Sequence, residues 1–459
     1  MARTPDLRAL DGVRALASIF IVFYHCFRLL AALIPDAQVV LLLRQSPLFR
    51  LALLGNAGVD VFLVLSSALA VYHLLPELEG RSGSAVDTRP AGNSAGSERK
   101  GSANLACTET RVASISQTVL RYYARRVRRI VPAYAVANLL IILLEVAARH
   151  GQQTAGGLSP LAAAAKGFCF ANCPGGLWAN ALFVMHFLGR RGCGLHLWST
   201  TVQVHAYVLL PLALVLLRPR SPGFRPSLAA ALAAAAVGGS LWRLRMASTV
   251  DLRFPFSGVP GDGASLTDLR EALWWTLGGR VSVLAFGGML GLLLRSPAAL
   301  QWLQARRLAL GAAVLLLEAG CLQVAWTTLP HRLPHEPYWP PAAAQAYVAL
   351  LWCGSPLYGA TSAAAMLALV LRTDPLHTLA AEFLSSKALQ PLATLSFSLY
   401  LLHEQARFFW LRYLPPPAAF LPAQMSAAPT QALLALTAGT LAIGYAAAAL
   451  CYRLVERRF

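Results

Sequence analysis

Apolar residues along this chain gather into runs of about 20, parted by short polar or basic connections, which is the spacing of helices that cross a bilayer. Ten such runs are present, at residues 13 to 34, 52 to 75, 130 to 148, 195 to 217, 227 to 246, 272 to 294, 308 to 326, 343 to 371, 391 to 412 and 430 to 452. They predict an all-α polytopic membrane protein, a bundle of about ten transmembrane helices. A weaker run, 177 to 189, is amphiphilic and reads as a re-entrant or interfacial piece. The first run, with its flank RALDGVRALASIFIVFYHCF, carries Arg14 at its start and His25 inside. Eleven positions make three turns plus about 20°, so both share one face about 16 Å apart. Ionisable residues at membrane depth are costly and mark function by default.

Composition agrees with the pattern. The 459 residues are 57% hydrophobic and 13% charged, and the mean hydropathy of +0.55 excludes an ordinary soluble fold. No cleavage pattern follows Arg3, Arg8 and Arg14, so the first helix is expected to stay as a signal anchor. The net charge of +19 sits mostly beside the spans. It serves as topology charge, attraction to membrane lipids or binding of an anionic substrate; no nucleic acid partner is expected, because no soluble basic domain exists. If the first helix enters from the cytosol, connections 76 to 129, 218 to 225 and 295 to 307 and the tail fall inside with RRVRR, RPRSPGFR, QARR and RLVERRF. Both termini are then cytosolic, with Arg190 and Arg191 as exceptions on the other side.

The chain reads as one membrane domain, 1–459, interrupted by a Gly/Ser-rich flexible cytosolic linker at 80–118. The Pro-rich segment 327 to 342 holds His331, His335 and Glu336 but reads as a stiff external loop. Eight cysteines show no CxxC pair and no zinc spacing, so no metal is expected. A disulfide is expected among Cys169, Cys173 and Cys193, which lie in one non-cytosolic segment. Cys26, Cys321, Cys353 and Cys451 read as small buried hydrophobes.

Four stretches in order, LDGVRALASIFIVFYHC, NAGVDVFLVLSSALA, YYARRVRRIVPAY and LATLSFSLYLLHE with the closing YRLVERRF, resemble the acyltransferase 3 family of membrane acyltransferases. LHLWSTTVQVHAYVLLPL and RVSVLAFGGMLGLLL stand in the expected places between them, so the resemblance spans Leu7 to Phe459. The paired cysteines, WANALFV and Cys193 before LWS look more like the eukaryotic branch that includes the nose-resistant-to-fluoxetine proteins. The resemblance implies acyl transfer, commonly acetylation, from acyl-CoA as co-substrate to a hydroxyl of a carbohydrate or lipid-linked acceptor, without a further cofactor.

The residues suit that chemistry. A hydroxyl needs a general base, and an imidazole titrates near physiological pH, which makes His25 the candidate, with Arg14 beside it. A lone membrane histidine also serves simply to bond a carbonyl. Arg125, Arg126, Arg128 and Arg129 form two Arg-x-x-Arg pairs, each on one helix face, fit to clamp donor phosphates or to anchor the chain. Arg126 and Arg129 match the family's pair. Asp60 and Ser66 lie about 240° apart on one helix and do not act as a pair. Asp60 is placed near the outer mouth, reaching His25 or Arg14 only if its helix tilts. Trp198, Gln203, His205 and Tyr207 line one segment, and Tyr400 and His403 share a later helix face. Asp60, Ser66, Trp198, Gln203, His205, Tyr400 and His403 are thus the acceptor or pocket candidates.

Three positions depart from the family pattern: Gln203 replaces an acidic residue, Ser67 a glycine and Arg458 a proline. His205 is the neighbour able to stand in partly for the missing carboxylate. These departures keep open a catalytically inactive relative acting as a lipid-binding scaffold. Buried charge along a substrate path also suits a membrane transporter or channel, although no self-similarity relates the two halves.

Overall fold

A computed structural model of the chain describes residues 5–34, 36–80, 115–153, 173–188, 193–248, 276–328, 341–414 and 422–458. Among these every element is a helix or a helical turn. Ten long helices coincide with the ten apolar runs: α1 (Arg8–Ala31), α2 (Gly58–Leu78), α3 (Ile115–Gln153), α4 (Trp198–Leu216), α5 (Phe224–Ser248), α6 (Val281–Leu294), α7 (Arg307–Thr328), α8 (Pro341–Leu371), α9 (Leu389–Tyr413) and α10 (Pro429–Leu454). The chain is an all-α polytopic membrane protein. Length and hydropathy qualify seven described segments as spans, and an eighth if Gly278–Leu294 and Pro297–Ala305, bent by 91°, count as one.

One helix outside that count, α9, fails for a physical reason. His403, Glu404, Gln405 and Arg407 interrupt its apolar pattern, yet none of them is more than 2% exposed. The helix packs against α1 on one side and α10 on the other, so its polar groups face protein and not lipid, where charge would be expensive.

A second group forms where α2 packs on α6, with α5 and α8 against α6. Without a hydrophobic force between helices in lipid, close approach depends on small residues. A Cβ at Gly287 would lie 2.3 Å from the carbonyl oxygen of Val64, and one at Gly291 2.3 Å from that of Ala68. Ser67, read above as replacing a glycine, also sits at this crossing and donates to the Leu284 carbonyl at 2.7 Å.

Asp60 belongs to this second group. It pairs with Arg280 of the turn before α6, and Arg280 also donates to Ser355 of α8; Asp60 and Arg280 are 2% and 0% exposed. Outside the spans, Asp374 caps the short helix Pro375–Leu384, accepting from the backbone N–H groups of Leu376 and His377. Burial pushes its carboxyl up, but the His377 backbone and ring and the Thr373 hydroxyl outweigh that and hold it down to about 2.

Cys173 and Cys193 form a disulfide. It ties the short helix Cys173–Ala181 to the turn leading into α4, and Asn180 binds both the Cys193 carbonyl and Asn138 of α3, at 2.9 and 2.8 Å. The weak run 177 to 189 is two short helices, Cys173–Ala181 and Met185–Leu188, with Trp178, Leu182 and Phe187 exposed; neither is long enough to span. At the other end of α4, about 28 Å away for its 19 residues, Arg225 clamps Glu79 and Arg125 pairs with Glu77. Most of the 80–118 segment, the interior of 327 to 342 with His331, His335 and Glu336, and Cys169, Arg190 and Arg191 lie outside the described residues; residues 115–118 open α3.

Candidate active site

No proline breaks α1 between Arg8 and Ala31, so the face shared by Arg14 and His25 runs unbroken along the bundle. His25 meets α9. Its Nδ1 lies 2.6 Å from Oε1 of Glu404, and the other carboxylate oxygen accepts from Arg407. Glu404 and Arg407 share a face three residues apart, and Arg407 also donates to the His25 backbone carbonyl at 2.6 Å. The carboxylate is thus fixed between a cation and an imidazole. The contact is an ion pair by distance, in which Oε1 receives no well-angled hydrogen bond; a carboxylate this close selects the proton on Nδ1 of neutral His25 and leaves the lone pair on Nε2. The His25 side chain keeps 21% of its surface exposed.

Two further imidazoles adjoin. The His403 ring lies 4.9 Å from that of His25 and 5.3 Å from that of His196. His403 Nδ1 donates to the Tyr400 carbonyl at 2.7 Å, and His196 Nε2 donates to the Leu401 carbonyl at 3.0 Å. The remaining nitrogens, His403 Nε2 and His196 Nδ1, are buried without a hydrogen-bond partner.

His25, His403 and Glu404 bring three ligand atoms within 4.8 Å of one another. Two ligands of one tetrahedral zinc stand about 3.3 Å apart. The 2.6 Å between His25 Nδ1 and Glu404 Oε1 is a hydrogen-bond distance, and Arg407 on the second oxygen opposes another cation. The donor set fits a positioned base better than an ion.

A cavity of about 450 Å³ opens beside this cluster, lined by Arg14, Arg126, Arg129, Ser66, Gln203, Tyr207, Ser199 and Tyr400 among others. Arg126 lies over the rings of Tyr207 and Tyr122 at 4.4 and 5.1 Å. Gln203 donates to Ser66 and to the Tyr207 hydroxyl, the latter at 2.9 Å. Arg14 and Arg129 are shared with a second, more open recess that adds Arg125, Arg128, Thr394, Tyr452 and Glu456. Arg14 has Asp11 as its ion-pair neighbour, at 3.5 Å.

The candidates read from sequence therefore divide. Arg14, Arg126, Arg129, Ser66, Gln203 and Tyr400 meet in the cavity, with Arg125 and Arg128 at the recess. His25 and His403 form the neighbouring cluster and do not line the cavity. Asp60 binds Arg280 and Ser355, not His25 or Arg14. Trp198 is 5% exposed and carries Arg280 over its ring at 5.1 Å. His205 bonds back to the Thr201 carbonyl at 2.9 Å and does not line the cavity, so it does not replace a carboxylate at Gln203. Glu404, Arg407, His196 and Ser199 received no role from sequence. A Glu-x-x-Arg step inside an apolar run was the available signal for the first two.

A family model described as an acyltransferase domain matches residues 7–449. No curated protein and no solved structure matches the chain.

Proposed function

Because the chain belongs to the acyltransferase 3 family of membrane acyltransferases, we propose that it moves an acyl group, acetyl in the first instance, from acyl-CoA to a hydroxyl of a carbohydrate or lipid-linked acceptor. The observation that carries this reading is the pairing of His25 with Glu404 at 2.6 Å. The carboxylate fixes the tautomer and stabilises the imidazolium that forms when Nε2 takes a proton. The acceptor oxygen then bonds to the thioester carbonyl carbon, the C–S bond breaks, and the proton on His25 passes to the departing thiolate. Arg14, Arg126 and Arg129 hold the anionic donor in the cavity, with Arg125 and Arg128 at its mouth.

Glu404 bears on the doubt raised by Gln203. The carboxylate that the chemistry needs stands on α9, while Gln203 serves as a hydrogen-bond donor in the cavity wall. The carboxylate set against His25 favours the active reading over an inactive relative. The arginine-rich end is the cytosolic one, where acyl-CoA is found. The disulfide-bearing end faces the opposite, oxidising side.

The test is transfer of label from acetyl-CoA by purified protein in phospholipid nanodiscs, with maltoheptaose and a total lipid extract as hydroxyl sources. Label is expected in an acceptor and is expected to be lost in His25→Gln. Full transfer by a folded His25→Gln protein would remove His25 from the mechanism.

A further inference from the structure

The donor cavity and the base are neighbours but not one chamber. Tyr400 stands at the cavity wall and His25 does not. From Tyr400 the ring contacts run to His403, at 5.9 Å, and from His403 to His25, at 4.9 Å. The Tyr400 hydroxyl donates to the backbone carbonyl of His196 and lies 2.6 Å from Ser199 Oγ, so two bonds to the start of α4 hold the ring where it is. From the cavity wall to His25 the ring contacts thus pass through Tyr400 and then His403.

Resting on the acyl-transfer reading, we propose that Tyr400 is a partition between donor and base that withdraws when an acceptor hydroxyl arrives, and thereby sets the preference for that hydroxyl over water. Water is the ever-present competing nucleophile, and a base with an open lone pair activates it as readily as a substrate alcohol. A wall between thioester and base suppresses that loss.

The unpartnered nitrogens support the same assignment. His403 Nε2 and His196 Nδ1 are acceptors without donors, on residues only 1% and 3% exposed, one beside Tyr400 in sequence and space and the other in the turn to which Tyr400 is latched. Buried acceptors are costly when unsatisfied. An acceptor with several hydroxyls, as a carbohydrate has, supplies donors to them from hydroxyls other than the one that gives its proton to His25, and offsets the bonds lost as Tyr400 moves.

The experiment compares wild type, Tyr400→Phe and Ser199→Ala in nanodiscs, measuring acetate released from acetyl-CoA without acceptor and label transferred to maltoheptaose and total lipid extract. In hydrolysis, the water oxygen bonds to the carbonyl carbon, the C–S bond breaks, and the water proton reaches the thiolate through His25. Ser199→Ala removes one latch bond and Tyr400→Phe removes both, while each keeps the ring. The ratio of hydrolysis to transfer is expected to rise about tenfold in Ser199→Ala, the population change that follows from one buried hydrogen bond of ordinary net strength, and further in Tyr400→Phe. In a His25→Gln background the extra hydrolysis is expected to vanish. An unchanged ratio in either variant that unfolds at the wild-type temperature overturns the partition, as does extra hydrolysis that survives His25→Gln. A wild type that transfers no label to either acceptor fails the acyl-transfer reading itself, whatever the variants do.

Discussion

Replacing Glu404 with glutamine keeps the shape of the side chain and removes its charge. In the resting state the change is mild, because an amide oxygen still faces His25 Nδ1 at the position now 2.6 Å away. The cost arises when His25 takes the proton. An imidazolium and a carboxylate about 4 Å apart attract by about 4 kcal/mol at an effective dielectric of about 20. Arg407 on the second oxygen offsets part of that and repels the imidazolium directly. Loss of the carboxylate therefore lowers kcat by about 10²- to 10⁴-fold, or about 3 to 5 kcal/mol of barrier. The same change leaves Arg407, 1% exposed, without its counter-charge, which costs stability by about 3 to 5 kcal/mol. A second variant separates the two effects. Glu404→Gln combined with Arg407→Met removes the stranded cation, so the thermal unfolding temperature returns toward wild type while kcat stays low. The assay is label transfer from acetyl-CoA beside a thermal melt in the same nanodiscs. Glu404→Gln with kcat within about threefold of wild type, a loss too small for a charge partner of the base, would refute the dyad.

Arg126→Gln and Arg129→Gln are expected to raise the KM for the acyl donor by about tenfold or more, the worth of one charge-assisted contact. Arg125→Gln is expected to change it by less than about threefold, because Arg125 is half exposed and bound to Glu77; equal KM values in all three would reduce the cluster to a membrane anchor. Asp60→Ala strands Arg280 in the interior and is expected to cost about 3 to 5 kcal/mol of stability. It should appear as lost folded protein on size exclusion, with donor KM unchanged in the fraction that folds.

The period of the apolar pattern carried the fold because helices in lipid must satisfy their own backbones, and a run of sufficient length has nothing else to become. The same period placed Arg14 and His25 on one face of α1. It also put Arg126 and Arg129 together, and both open into the cavity with Arg14. What a period cannot give is the helix opposite. Asp60 and Arg280 are 220 positions apart, and the sequence offered Arg14 and His25 as nearer partners. Glu404 was hidden for a related reason. On α9 its neighbours His403 and Tyr400 drew attention to one face, whereas Glu404, about 100° further round, also meets His25 of α1. Gln203 suggested a missing carboxylate for the same reason: α4 has none at that position, while α9 sets Glu404 beside His25.

Among the described residues, cations inside the bundle are held in contrasting ways, and the difference bears on how the net charge of +19 is used. Arg407 and Arg280 face carboxylates, Glu404 and Asp60, deep in the bundle; each pair is neutral as a unit, Asp60 and Arg280 joining α2 to the turn before α6, Glu404 and Arg407 pairing within α9 with Arg407 also bound to the His25 carbonyl of α1. Arg126 is held differently, against the faces of Tyr207 and Tyr122. An aromatic face stabilises a guanidinium without occupying the edge from which it donates forked hydrogen bonds. A cation meant only to anchor the chain gains nothing from being kept at a cavity wall with tyrosines behind it, since lipid headgroups at the surface would satisfy it. A cation awaiting an anion gains from it, because rigid apolar support preserves its charge and lowers the cost of ordering when the ligand binds. With Arg14 and Arg129 opening into the same space, the positive charge at this end of the bundle is arranged around a cavity as well as along a membrane surface. On the acyl-transfer reading proposed above, that space is where the anionic donor binds, with Tyr400 in its wall.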